Sequence, residues 1–518
     1  ITLKISLIKI ISYVIIKMTS KSKIPRALRT DLRDDGLGQS QFVETRVIQP
    51  TSGWSGSSQG QIRFLLPKQG ILDKSSYIKF QILGASANHR LPLTAGALSA
   101  FETATLFCGG IQVAQTRGVG QLLNLKQFYR TPHDRNAKQA QRVGCFAGQM
   151  IDGTTTGGTN KPGHIGINTH ETWATGGGTA FATDDREIST GFKLTNSAST
   201  TPEWRLYVEE LFPLLYNNNL PLGLIDEEFS IVLDLSPDEA KGQRAIMTGA
   251  NVWATGTNVI KPSLHVDLVF YDDPINAPTT MDKLRAVLDK GEKIVFEDSQ
   301  YILQNQPAAG AAGEQSINVL LGLDHQIVRN ILVATPLAVS YAAAGANNGD
   351  PILGQYYSIG SSVQSASTGK GGNTLQLTIN SQPIYPNPLD SDNKIWDQLS
   401  QVYPTPFKIN LAQSSFVGQT NAAGAVVGTQ NRFTDKTLFG AGHPQTSLCG
   451  KGHYYGINLS RTYSNVLGAG TSVGRQPVLL ELTDNRPATD LAAKIVHIWA
   501  ACERVMMVQN GRVRVSGS

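Results

Sequence analysis

The sequence predicts an all-β protein built from two long β-patterned halves, each of sandwich size, joined by one short helix. Three observations carry that expectation. Apolar residues alternate at period two along segment after segment, the mark of strands with one face in a core. The one convincing helix pattern falls near the middle: Thr279-Thr280-Met281-Asp282 has the form of a capped start. Met281, Leu284, Val287 and Leu288 then recur at helical spacing, and Gly291 follows as a stop. The composition, with 51 Gly, 24 Pro and only 16% charged residues in 518, suits strands separated by long polar loops.

Residues 1–39 read as an N-terminal arm. Residues 1–35 carry Lys4, Lys9, Lys17, Lys21, Lys23, Arg26, Arg29 and Arg33 against Asp31, Asp34 and Asp35, which accounts for the whole net charge of +5. The remaining chain is therefore neutral in sum, so bulk charge excludes the globular body as a nucleic-acid binder. The first 16 residues are aliphatic but contain Lys4 and Lys9, are short of a bilayer span and lack a signal-peptide cleavage site. Residues 1–17 are expected to be upstream sequence, with Met18 as the start. Lys21, Lys23, Arg26, Arg29 and Arg33 form the candidate polyanion contact. No aromatics interleave with them, so they offer no base-stacking platform.

The first half, residues 40–274, opens with Gln61–Leu66, where Ile62, Phe64 and Leu66 alternate with Arg63. Pro67-Lys68-Gln69-Gly70 turns the chain, and Ile78, Phe80 and Ile82 then alternate with Lys79 and Gln81. After the Leu220-Pro221-Leu222-Gly223 loop, Phe229, Ile231, Leu233 and Leu235 supply one strand face. Leu264, Val266, Leu268 and Phe270 supply another, which ends at Tyr271-Asp272-Asp273-Pro274 because proline cannot donate to a ladder. Residues 275–291 form the helical linker.

The second half, residues 292–518, starts a strand around Lys293–Phe296, and Leu375, Leu377 and Ile379 alternate with polar residues. Near the C-terminus Asn510-Gly511 separates Val505–Gln509 from Arg512–Val515. Asn-Gly between two apolar strands is a strong hairpin signal, since both residues accept positive φ. Three low-complexity stretches, Gly153–Gly178, Gly345–Asn373 and roughly Gln413–Gln430, read as surface excursions from a rigid scaffold.

Chemistry-bearing patterns fail one by one. Cys108, Cys145, Cys449 and Cys502 show no C-x-x-C pair, against a zinc site or a disulfide framework. Gly360–Gly371 lacks the first glycine and the Ser/Thr of a phosphate loop, and Gly468-Ala469-Gly470 lacks the third glycine of a dinucleotide turn. His164, His170, Glu171, His443 and His453 sit in Gly/Thr-type loops with no H-x-H pair. His265 falls on the polar face of a strand, where solvent exposure explains it, and His497 on another strand. Gly56-Ser57-Ser58-Gln59-Gly60 matches a serine elbow but precedes a strand instead of a helix. Glu209-Glu210 and Asp226-Glu227-Glu228 read as solvated loop acids. No catalytic residue, metal or cofactor is expected, and the chain is expected not to be an enzyme.

Four stretches resemble one family. Gln61–Pro67 through Gly70–Ile78, Leu220–Leu222 with Phe229–Leu235, Leu264–Pro274, and Arg504–Val515 with its Asn510-Gly511 turn are together similar to the double jelly-roll major capsid proteins of icosahedral DNA viruses, the adenovirus-hexon lineage. Polinton-like viruses and virophages look closest. The resemblance implies two consecutive eight-stranded antiparallel jelly rolls. It also implies a homotrimer acting as a pseudo-hexameric capsomer, and an icosahedral shell around DNA. Expected partners are neighbouring capsomers and minor capsid (penton or cement) proteins, with genome or an inner membrane met by the arm; the expected location is the virion. Two other readings stay open: a two-domain carbohydrate-binding or carbohydrate-cleaving sandwich, with Trp173 and Trp204 as candidate contacts, and a minor capsid or spike protein.

Overall fold

The computed structural model describes residues 40–51, 60–83, 89–90, 96–127, 142, 202–216, 218–235, 246–247, 258–272, 285–286, 288, 293–308, 310, 313–324, 326–334, 373–389, 394, 397–398, 401–402, 418–420, 426–429, 455–460, 470–486 and 494–516. Strands of the first half are β1 (Ser40–Ile48), β2 (Gln61–Leu65), β3 (Tyr77–Leu83), β4 (Phe101–Cys108), β5 (Ile111–Arg117), β6 (Trp204–Tyr207), β7 (Phe229–Leu235) and β8 (Asn258–Asp272). Those of the second half are β9 (Lys293–Gln306), β10 (Gly313–Leu321), β11 (Ile327–Ala334), β12 (Asn373–Ile379), β13 (Gln382–Pro383), β14 (Tyr455–Asn458), β15 (Val478–Arg486) and β16 (Lys494–Gln509), followed by β17 (Arg512–Ser516).

The first half forms one sheet in the order β1–β8–β3–β6 and a second in the order β2–β7–β4–β5. The second half repeats the same connectivity, as β9–β16–β11–β14 and β10–β15–β12–β13. All these pairings are antiparallel. In each half the first strand pairs with the eighth and the second with the seventh, the wrapped order of a jelly roll. The chain is a double jelly roll.

The predicted alternation lands where it should. Ile62 and Phe64 of β2, Ile78, Phe80 and Ile82 of β3, Ile231 and Leu233 of β7, and Leu264, Val266 and Leu268 of β8 all point into one core, while Lys79 turns outward to Glu203 at 3.0 Å. Leu375 and Leu377 of β12 enter a second core with Val496, Ile498 and Ala500 of β16. Full burial of each such side chain contributes roughly 1.5–3 kcal/mol.

The terminal hairpin forms as expected, with Asn510 at φ 51° and Gly511 at φ 71°. Two more tight turns have the same left-handed pair: Gly109-Gly110 between β4 and β5, and Asn380-Ser381 between β12 and β13. They occupy equivalent places in the two jelly rolls. In β8 the pairing with β3 slips between Ile260 and Ser263, where Lys261 takes φ 49° and Pro262 has no N–H to give.

Within the predicted linker helix, Arg285, Ala286 and Leu288 are helical and Leu288 is buried in the first core; the rest of that pattern lies outside the described residues. The expectation of one convincing helix needs a correction: Val119–Gln127 is also an α-helix, leading out of β5. The stretch around Gln413–Gln430 also differs from a plain loop, since Gly418–Thr420 and Val426–Thr429 pair with each other.

The two jelly rolls share structure across their boundary. Ile294, Phe296, Met506, Val508 and Val513 belong to the core of the first half although they come from the second. The long β9–β16 pair therefore covers two cores at once, its own along one length and its neighbour's along the other.

Candidate functional site

Connections between antiparallel strands alternate between two ends of a sandwich, which gives this molecule a direction. At one end lie the 66–76 turn, Gly109-Gly110, the 208–228 connection and Asn510-Gly511. They touch one another: Gly223 N–H donates to the Gly70 carbonyl at 2.9 Å, Gly109 N–H to Glu228 O at 3.0 Å, and Asp226 N–H to Gly511 O at 2.9 Å. Ser40, the first described residue after the arm, pairs with Asp272 at this same end. At the other end β5 runs out toward β6, β11 toward β12 and β13 toward β14. Those are the three intervals that contain Gly153–Gly178, Gly345–Asn373 and Gln413–Gln430. The basic arm and the low-complexity stretches thus join the scaffold at opposite ends.

Between the jelly rolls, β5 of the first meets β9 and β16 of the second. Gln115 N–H donates to Asp298 Oδ1 at 3.2 Å, and Trp499 Nε1 donates to the Arg117 carbonyl at 2.9 Å. Trp499 stacks on His497 at 5.5 Å and lies 5.6 Å from Tyr301, whose hydroxyl is 2.8 Å from His497 Nδ1. Gly118 sits beneath this group at φ 62°, and a Cβ there would stand 3.2 Å from Trp499 Cζ2. The turn needs glycine for its φ, and the ring needs it for room.

Buried charge sits beside this contact. Arg504 Nε lies 3.0 Å from Asp298 Oδ2, a close charge contact without an aligned hydrogen bond. Burial pushes the Asp298 carboxyl up to about 6, against the pull of Arg504 and of the Gln115 N–H. Arg329 donates to Glu503 Oε1 at 3.0 Å, which also accepts Gly470 N–H at 3.1 Å. Burial likewise raises the Tyr301 hydroxyl and takes the Cys502 thiol up to about 12, the latter with help from the Asp298 charge.

Several sequence expectations change here. Of Asp226-Glu227-Glu228, Asp226 and Glu228 are exposed as expected, whereas Glu227 is half-buried. Glu227 Oε2 accepts Val513 N–H at 3.1 Å and so docks the terminal hairpin, while Asp226 meets Arg285 at 3.3 Å in an exposed pair. Glu227 also lies 3.7 Å from Cys108 Sγ; burial and that carboxylate raise the Cys108 thiol to about 12. His265 is half-buried instead of simply exposed. It stacks on Tyr77 at 4.8 Å with the planes 6° apart, and burial, then Lys79 and Arg205, lowers its proton affinity. Trp204, a candidate sugar contact, is buried in the first core.

Lys21, Lys23, Arg26, Arg29 and Arg33 lie outside the described residues, as do His164, His170, Glu171, His443, His453, Trp173, Cys145, Cys449, Gly360–Gly371 and all of the serine-elbow string but Gly60. Among the described residues, no group of three or more His, Cys, Asp or Glu could hold a metal ion, and no helix is long and apolar enough to cross a membrane. The contact around Trp499 was missed by sequence reasoning. Its only signal was an aromatic, Trp499, two residues after a strand histidine.

The chain matches no protein-family model and no curated protein. Among solved structures it is similar to a chain in the 3.5 Å cryo-EM structure of the Sputnik virophage, with 13% identity, a TM-score of 0.55, and coverage of 93% of this chain and 89% of that one. It is similar as well to PBCV-1 VP54, fitted into a reconstruction of Sputnik, with 11% identity, a TM-score of 0.51 and coverage of 93% and 97%. A chain in a quasi-atomic model of the PBCV-1 virus capsid gives 12%, 0.51, 93% and 97%. The double jelly roll of this chain is the fold these structures share across nearly their full length.

Proposed function

We propose that this protein is the major capsid protein of an icosahedral DNA virus, a structural subunit of the virion with no enzymatic role. The observation that carries the reading is the doubled jelly roll: one chain presents two modules of the same connectivity, held in one orientation by the β5 to β9–β16 contact. Three such chains around a threefold axis place six similar modules in a ring. That is the shape a hexagonal lattice needs from a cyclic trimer. Similarity to chains from the Sputnik particle and the PBCV-1 capsid supports it.

The polarity of the scaffold supports an orientation in the shell. The end bearing the low-complexity stretches faces outward, and the end where the arm joins β1 faces the interior. There Lys21, Lys23, Arg26, Arg29 and Arg33 contact genome or anionic lipid. Neighbouring capsomers and penton or cement proteins complete the shell, through interfaces weaker and more polar than those inside the trimer.

The test is the mass of the full chain in solution, followed by electron microscopy. A stable trimer and pseudo-hexagonal blocks are expected; a monomer at micromolar concentration contradicts the reading. In purified particles this chain should dominate the protein mass, as a spike or minor protein would not. Neutralising the five arm residues should leave trimers intact while making genome retention less resistant to salt, read as DNA content after salt washes. Unchanged particles would assign the arm no such contact.

A further inference from the structure

We propose that the outer face of β1 and β8 in one copy receives the β13 edge of the next copy, a head-to-tail contact that repeats between chains the contact β5 makes within the chain. This deepens the assembly reading above and rests on it.

The two modules offer equivalent surfaces. β5 and β13 are each the last strand of the β2–β7–β4–β5 and β10–β15–β12–β13 sheets, and β1–β8 corresponds to β9–β16. Inside the chain, the β5 edge of the first module lies against the β9–β16 pair of the second. Val496, Ile498 and Ala500 face their own core, so Trp499 on the alternate face meets Arg117 and Gly118, with Tyr301 and His497 beside it. That contact uses one edge and one face. Its counterparts, the β13 edge and the β1–β8 face, have no such cover among the described residues.

Their chemistry matches the role. Leu264, Val266 and Leu268 of β8 face the core, which turns His265 outward. Val47 is directly opposite His265 in the ladder, and Tyr77 stacks on that ring, an apolar and aromatic row like that of Tyr301, His497 and Trp499. Val43 and Val47 are 57% and 54% exposed, while Ile48 on the alternate side of β1 packs against the core. On the other surface Gln382 and Pro383 of β13 are exposed and Ile384, next in the chain, is 36% exposed. Of the six large apolar side chains left in solvent among the described residues, these three sit on the two surfaces that equivalence pairs; Ile111, Leu303 and Leu320 are the others. A heterologous contact of this kind closes into a ring when its rotation is a simple fraction of a turn. The in-chain contact supplies the alternate junctions, so three chains complete six.

The test uses the full chain in three forms: wild type, Val43→Asp/Val47→Asp, and Ile384→Asp. Light scattering at micromolar chain should give a trimer for wild type and monomers for both variants, with circular dichroism unchanged because all three positions are exposed, and with a lower, concentration-independent melting temperature because the stabilisation by association is lost. An equimolar mixture of the variants retains one intact face and one intact edge, so it should give a one-to-one pair and no trimer. As a measurement independent of those substitutions, Val47→Cys/Ile384→Cys treated with a short bismaleimide should yield covalent dimers and trimers. Variants that stay trimeric, a mixture that stays monomeric, or an absence of cross-links overturns these surfaces while leaving the trimer standing. A monomeric wild type removes the assembly reading itself.

Discussion

Asp298 offers a test of the module junction that can be worked out in advance. Its carboxyl accepts Gln115 N–H from the first jelly roll, faces Arg504 at 3.0 Å on the neighbouring strand, and is 3% exposed. Burial outweighs those favourable contacts and takes its pKa from 3.8 to about 6. The folded state therefore holds the proton more tightly than the unfolded chain. Above pH 6 both states are ionised and the buried charge costs stability in full. As pH falls through 6 toward 3.8 the folded carboxyl takes up its proton first, and that cost is relieved. At about 1.4 kcal/mol per pH unit between the two values, the relief amounts to roughly 3 kcal/mol. Asp298→Asn removes the titration while keeping an oxygen for Gln115. Urea denaturation of wild type and variant at pH 7, 6, 5 and 4 should show the wild type gaining about 2.5 kcal/mol relative to the variant across that window. Parallel curves would refute the argument that desolvation dominates the site.

Two further perturbations probe the same region. Trp499→Ala removes a 1% exposed indole that packs on His497, Tyr301 and Gly118. A loss of about 3–5 kcal/mol is expected, read from the urea midpoint, and it should loosen both jelly rolls together. Arg329→Met leaves the fully buried Glu503 side chain facing an apolar group in place of its guanidinium. That should cost about 3–5 kcal/mol, whereas Arg329→Met combined with Glu503→Leu should recover only part of it, because Gly470 N–H then loses its acceptor, as measured by the same titration.

The strands legible in the sequence are those with one face in a core and one in solvent. Ile62 and Phe64, Ile78, Phe80 and Ile82, and Leu264 to Leu268 could be read from their alternation because each period-two pattern reports burial on one side. β11 and the middle of β16 lack that signature. Residues 328–334 and 496–502 are buried on both faces, so their apolar runs carry no period. The Asn510-Gly511 turn announced itself, whereas Asn380-Ser381 adopts the same left-handed pair with a residue that rarely chooses it. Glu227 reads as a solvated loop acid like its neighbours because nothing local tells a loop carboxylate from one that caps a hairpin 286 positions away.

The linear chain by itself determined the all-β class and the absence of a recognisable catalytic motif, since strand alternation, turn residues and motif spacing are local properties. The repeated strand order, the core shared through Ile294, Phe296, Met506, Val508 and Val513, and the placement of the arm and the low-complexity stretches at opposite ends were decided only in three dimensions. Each depends on which strand lies beside which, and in a wrapped sandwich the partners are separated by most of a module. No local pattern encodes that pairing; it follows from burying two faces of every sheet at once.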